Sequence, residues 1–201
     1  MKKMIGQLPL AFIILFLFLG MAQASVPLTD VELRWKATTD MKEFTKLNLE
    51  KLLEHKFKIV DFKDNRTAPL SRVGMNTENE KQPLPVDTKS NVADFVTDSF
   101  SSVLKKSGFD LVKTGEDLTL SADINDFMVT ETNTYMGNLT LRVRISQGQK
   151  VIWQGVVTGT SSRFGRSYKL DNYLEVMSDS IIDATLNLLK NEDLKSRMRS
   201  I

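Results

Sequence analysis

Cysteine is absent from the 201 residues, histidine occurs once, tryptophan twice and tyrosine three times. Without cysteine the chain has no disulfide staple, no thiol nucleophile and no cysteine-ligated zinc or iron–sulfur cluster. It also has no thiol that could carry a lipid, so the fold is expected to rest on its hydrophobic core alone. The single histidine, His55, stands among charged residues and is a thin basis for acid–base chemistry. No G-x-S-x-G elbow accompanies it, and the chain has no P-loop, no dinucleotide fingerprint and no H-E-x-x-H pair. Carboxylate pairs for sugar hydrolysis could be drawn from Glu116, Asp117, Glu131 or Asp171, and a metal pair from Asp123 and Asp126, but 25 acidic residues supply such pairs by chance. The sequence therefore implies no cofactor, no metal and no enzyme. An envelope hydrolase using His55 or an acidic pair is the least favoured alternative.

Long apolar runs are absent after the first twenty residues. Lys2 and Lys3 precede the apolar stretch Leu8 to Leu19, and Met21-Ala22-Gln23-Ala24-Ser25 offers small residues where a signal peptidase reads. The apolar run is shorter than the roughly 20 residues that span a bilayer. This predicts a secretory signal over residues 1–24, cleaved after Ala24, and a periplasmic protein not anchored through a cysteine of its own. The leader removes two of the 27 basic residues and none of the 25 acidic ones. The remaining chain is balanced in charge, without the basic surface that nucleic acid requires.

The patterned segments come next. Val31, Leu33 and Trp35 fit one face of a short strand, residues 40–55 fit neither period, and 57–62 reads as a strand. Residues 63–89, with Pro69, Gly74, Pro83 and Pro85, predict a long polar loop whose second half, NTENEKQPLP, is mobile. Val92, Phe95, Val96, Phe100, Val103 and Leu104 recur at helical spacing, capped by Ser90 or Asn91 and ended near Gly108. Strands follow at 109–112, 118–124 and 139–146, then a turn at Gln147-Gly148-Gln149 and a returning strand from Val151. A second helix, N-capped by Asp171, carries Leu174, Met177, Ile181, Ala184 and Leu188 on its buried stripe. The expected fold is α+β: an antiparallel sheet of about five or six strands with two amphipathic helices packed on one face. Residues 25–190 form a single domain, and 191–201 a charged tail that frays.

Two clusters are candidates for binding. Asp64, Asn65, Arg66, Arg72 and Gly74 open the 63–89 loop and read first as a turn, then as the start of a partner-contacting loop. Arg142 and Arg144 share one strand face, and Arg163, Arg166 and Lys169 precede a helix N-terminus, where backbone N–H groups favour anions. Arg142, Arg144, Arg163 and Arg166 are thus a candidate site for an anionic lipid or cell-wall glycan.

The succession FKIVDFKDNR…SRVG, a long loop, VADFVTDSFSSVLKKSGFDLV, DLTLSADINDF, LTLRVRIS, KVIWQGVVTG and LEVMSDSIIDATLNLLKNEDL resembles the YajG-like family of bacterial envelope lipoproteins over residues 56–195. The resemblance implies an α+β envelope domain with no established catalytic residues, Asp64-Asn65-Arg66 and Gly74 matching the family's hallmark loop. Family members carry a lipobox cysteine where this chain has Ala24-Ser25. The expected function is that of a non-enzymatic periplasmic accessory or adaptor protein. Its expected partner is an envelope protein complex, in association with the outer membrane or peptidoglycan. The alternative is a binding module for anionic lipid or glycan.

Overall fold

Apolar residues alternating with polar ones over long stretches favour strands that bury one face, and such stretches dominate the second half of the chain. In the computed structural model, which describes residues 26–200, the strands are β1 (Leu28–Val31), β2 (Lys56–Ile59), β3 (Lys63–Asp64), β4 (Arg72–Asn76), β5 (Leu84–Thr88), β6 (Asp110–Leu111), β7 (Leu118–Glu131), β8 (Thr134–Gln147) and β9 (Lys150–Phe164). The helices are α1 (Glu50–Leu53), α2 (Val92–Lys106), α3 (Leu170–Lys190) and α4 (Glu192–Met198). The predicted leader lies outside the described residues. Among those residues, no helix is long and apolar enough to cross a membrane.

The α+β class is as expected, but the sheet is larger, with nine strands. β7, β8 and β9 form the anticipated antiparallel meander. The other edge of β7 is paired in succession by β2, β3 and β4, all parallel to it. β5 lies antiparallel to β4, β1 parallel to β5, and β6 parallel to β2. The sheet is therefore mixed, not antiparallel throughout. Strands of two to five residues are too short to display an alternation, which is why the sequence undercounts them. The same reason corrects the 63–89 loop: it holds β3, β4 and β5, with the turn 65–71 and the hairpin tip 77–83 irregular between them.

β7 also runs further than its pattern suggested. The pairing register shifts between Ile124 and Asp126, and this bulge resets the phase of alternation. Leu118, Leu120 and Ile124 point to the core before it, and Phe127 and Val129 after it. They meet Leu139, Leu141, Val143 and Ile145 of β8, and Trp153 and Val157 of β9. α2 and α3 both pack on this face. Phe95 of α2 lies against Phe127 and Phe100 against Phe62. The opposite face of β7–β9 is open to solvent.

Asn91 caps α2, its side chain accepting from the N–H groups of Ala93 and Asp94. α3 begins two residues earlier than expected, at Leu170, and Asp171 is not its cap. It sits in the first turn and pairs with Arg34 and Lys36. The expected stripe of α3 is buried, and so is much of its back, including Val176, Ser178, Asp179, Ile182 and Leu189. The extended segment after β1 crosses that back. Lys36 N–H donates to Ser178 Oγ, and Thr38 and Thr39 N–H to Asp179 Oδ1. Gly159 of β9 allows the closest approach of α3, since a Cβ there would lie 2.0 Å from the Ser180 carbonyl oxygen. The tail does not fray as expected: α4 folds back and buries Leu194 and Met198. Its charges had masked that apolar i, i+4 pair.

Candidate functional site

The opening of the 63–89 stretch is a closed electrostatic unit. Arg66 follows β3 by two residues and is 7% exposed. Its Nε and Nη2 donate to the two carboxylate oxygens of Asp64, each at 2.8 Å. Nη1 donates to the Arg72 carbonyl (2.7 Å) and Nη2 to that of Leu70 (2.6 Å). With a third carbonyl, that of Phe127, accepting from Nη1 at 3.3 Å, the bidentate pair and three carbonyls satisfy all that a guanidinium offers, and they tie the end of β3 to the start of β4. Burial pushes the Asp64 carboxyl up, but the hydrogen bonds and charge of Arg66 outweigh it and hold it below its ordinary value. Arg72 donates through Nε to Asp87 of β5 at 2.6 Å. Asn65 is exposed, its N–H donating to the Ile124 carbonyl. Gly74 lies under the Tyr173 ring, where a Cβ would approach Tyr173 Cε1 to 2.8 Å.

The four arginines of the second cluster do not converge. Arg142 and Arg144 lie on the open face of β8, and Arg144 Nε donates to Gln154 at 3.1 Å. Neither forms an ion pair among the described residues. Arg163 pairs in register with Tyr135, on the helix side of the sheet, and forms an ion pair with Glu175. Arg142 lies seven residues along β8 from Tyr135, about 23 Å away in a strand. Arg166 pairs with Glu78 of the hairpin tip at 2.7 Å.

The anion slot at the start of α3 is filled by the chain itself. Tyr168 N–H donates to Glu131 Oε1 (2.8 Å), and the N–H groups of Ser167 and Lys169 donate to Tyr135 Oη. Glu131 is fully buried, and its other oxygen accepts from Tyr173 Oη at 2.7 Å. Burial and then the Glu131 carboxylate push the Tyr173 hydroxyl far up from its ordinary range. Tyr168 adopts φ 45°, costly for a residue with a side chain. It is held there by Glu131 and by its own hydroxyl, which accepts from Leu28 N–H and donates to the Pro85 carbonyl. All three tyrosines of the chain thus surround one carboxylate. Glu131 entered the sequence reading only as one of many acids, because nothing local links it to a helix that starts 39 positions later.

What remains outward is the open face and one end of the sheet. Phe164 is 85% exposed and Met136 is 62% exposed. Met128, Met136, Asn138 and Thr160 line a shallow concavity of about 720 Å³ on that face. Thr77 N–H donates to the Glu131 carbonyl, so the hairpin tip stands at the same end as Phe164. Among the described residues, no group of three or more metal-ligating side chains is assembled.

No family model matches the chain, and no curated protein sequence does. Among solved structures, a Xanthomonas campestris protein of the DUF330 family aligns with 67% of this chain and 81% of its own, at 12% identity and a TM-score of 0.49. The PelC dodecamer of Paraburkholderia phytofirmans aligns over 64% and 86%, at 11% identity and 0.38. The lipoprotein GNA1162 of Neisseria meningitidis aligns over 59% and 91%, at 8% identity and 0.35. Likenesses this slight carry no inference about this chain.

Proposed function

We propose that this chain is a non-enzymatic accessory protein of the bacterial envelope, a relative of the YajG-like lipoproteins, that binds another envelope protein through the open face of β7–β9 and the adjoining hairpin tip. The observation that carries the reading is the exposure of Phe164 and Met136 beside a concavity on a sheet face whose arginines, Arg142 and Arg144, lack carboxylate partners among the described residues. A solvated sheet face is ordinary. A phenylalanine left almost wholly in water beside methionines is not, and such anchors mark binding surfaces. On this reading the 63–89 stretch contributes through its tip, because Asp64, Arg66, Arg72 and Gly74 are taken up inside the fold.

The test is photo-crosslinking in the periplasm from positions 136 and 164, with the exposed Lys113 as control. A single protein adduct formed from 136 and 164 but not from 113, and weakened by Arg142→Glu, is the expected result. Equal capture from all three positions, or none, overturns the reading. An adduct with lipid instead would favour the second reading, an anionic-lipid module centred on Arg142 and Arg144.

A further inference from the structure

The outer edge of β9 carries backbone groups that the fold does not use. Among the described residues, β9 pairs only with β8. Thr160 N–H donates to Asp183 Oδ2 of α3 at 2.8 Å, and the Thr158 carbonyl accepts from Asn187 Nδ2 at 2.8 Å. These two bonds fix the phase of the strand: the backbone groups of its even-numbered residues from Thr158 onward point away from β8. They also guard the middle of the edge, since a covered edge resists pairing with another chain. The guard stops at Thr160. The Thr160 carbonyl, the N–H and carbonyl of Ser162 and the Phe164 N–H have no partner among the described residues, and Ser162, Arg163 and Phe164 are exposed.

The charges beside this stretch are unevenly matched. Glu175, Asp179 and Asp183 recur every four residues along α3, and like charges at that spacing repel. Glu175 receives two cations, Lys36 and Arg163. Asp179 and Asp183 form no ion pair among the described residues. With Asp40, Glu43, Thr160 and Ser161 they line a cavity of about 130 Å³ between α3 and the unguarded end of β9. The edge thus presents an arginine in surplus next to carboxylates in deficit.

We infer that this end of β9 joins two copies of the chain, paired antiparallel about a two-fold axis through Ser162. In that register Ser162 meets Ser162 of the second copy, and the N–H of each Phe164 meets the Thr160 carbonyl of the other, so every free group named above is used. Asp183 keeps the Thr160 N–H and ends the ladder on both sides. The same register sets Arg163 opposite Ser161 of the second copy, on the helix side of the sheet, next to the cavity that Asp183 lines. Each arginine brings the cation that the other copy's acidic row lacks, while Lys36 stays with Glu175. The contact uses the same patch on both copies and closes at two. It leaves the open face of β7–β9 uncovered, and so does not rest on the binding surface proposed above.

Because the chain has no cysteine, a single introduced thiol reports the register. The two Ser162 Cα atoms would stand about 5.5 Å apart, within reach of a disulfide. The protein purified from the periplasm is expected to sediment as a reversible mixture of monomer and dimer. Ser162→Cys forms a disulfide-linked dimer on mild oxidation, and Gln154→Cys, on the same edge, does not. Arg163→Glu and Asp183→Lys each weaken association roughly tenfold or more. An equimolar mixture of these two variants restores it as a heterodimer, because each charge again meets its opposite, a rescue that a misfolded variant would not give. A protein that stays monomeric at about 100 μM overturns the inference. So does a dimer that Gln154→Cys links as readily as Ser162→Cys, that both charge reversals leave intact, or that the mixture fails to restore. Association that continues past two copies refutes the two-fold pairing.

Discussion

Arg66 illustrates how a residue that reads as an interaction group can be consumed by the fold. Its side chain is almost wholly buried, and among the described residues Asp64 is its only carboxylate. Removing one partner of a buried pair leaves the other charged and uncompensated, which costs about 3–5 kcal/mol. Asp64→Asn is therefore expected to lower stability by about 3 kcal/mol, read from the urea midpoint at neutral pH. The pH dependence has a definite sign. The folded-state carboxyl is held below its ordinary value, so the contribution of the pair is complete above the unfolded pKa of about 3.9. It drains away as the pH falls through the depressed folded value. The Asn variant should lose that acid-sensitive part of the stability profile, and an unchanged acid limb would refute the assignment.

At the level of elements, the sequence displayed what its periodicities could carry. α2 with its cap at Ser90 or Asn91, the buried stripe of α3, the Gly148 turn and the β7–β9 meander were legible from periodicity and turn residues. β3, β4 and β5 were not, since Gly74 and Pro85 look like loop residues until β7 offers an edge to pair with. The buried site around Glu131 was illegible for a different reason: its donors, the Tyr168 N–H and the Tyr173 hydroxyl, lie 37 and 42 positions away in sequence. The packing of α3 on β9 depends on one residue without a side chain. Gly159→Ala would drive a methyl group into Ser180 and Ala184 of α3. The helix would have to lift away, at a cost of about 3 kcal/mol. The expected outcome is a lower melting temperature without loss of strand content by circular dichroism.

For the whole molecule, the decisive feature is the segment that crosses the back of α3. The Asp179 carboxylate accepts from Thr38 N–H, Thr39 N–H and Thr38 Oγ1. Asp179→Ala should weaken this attachment by about 2–3 kcal/mol, and limited proteolysis should then cut within residues 32–49 before any other site. If the first cuts fall in the 77–83 tip in parent and variant alike, the segment is held by other contacts. The same attachment bears on the order of events during folding. Leu28 meets Tyr168, Lys36 meets Ser178 and Thr38 meets Asp179 across 140, 142 and 141 positions. Residues 28–38 thus have no docking place until α3 exists, and contacts of such span form slowly. During synthesis this segment waits until 142 further positions have been added before Lys36 can meet Ser178 and close the structure.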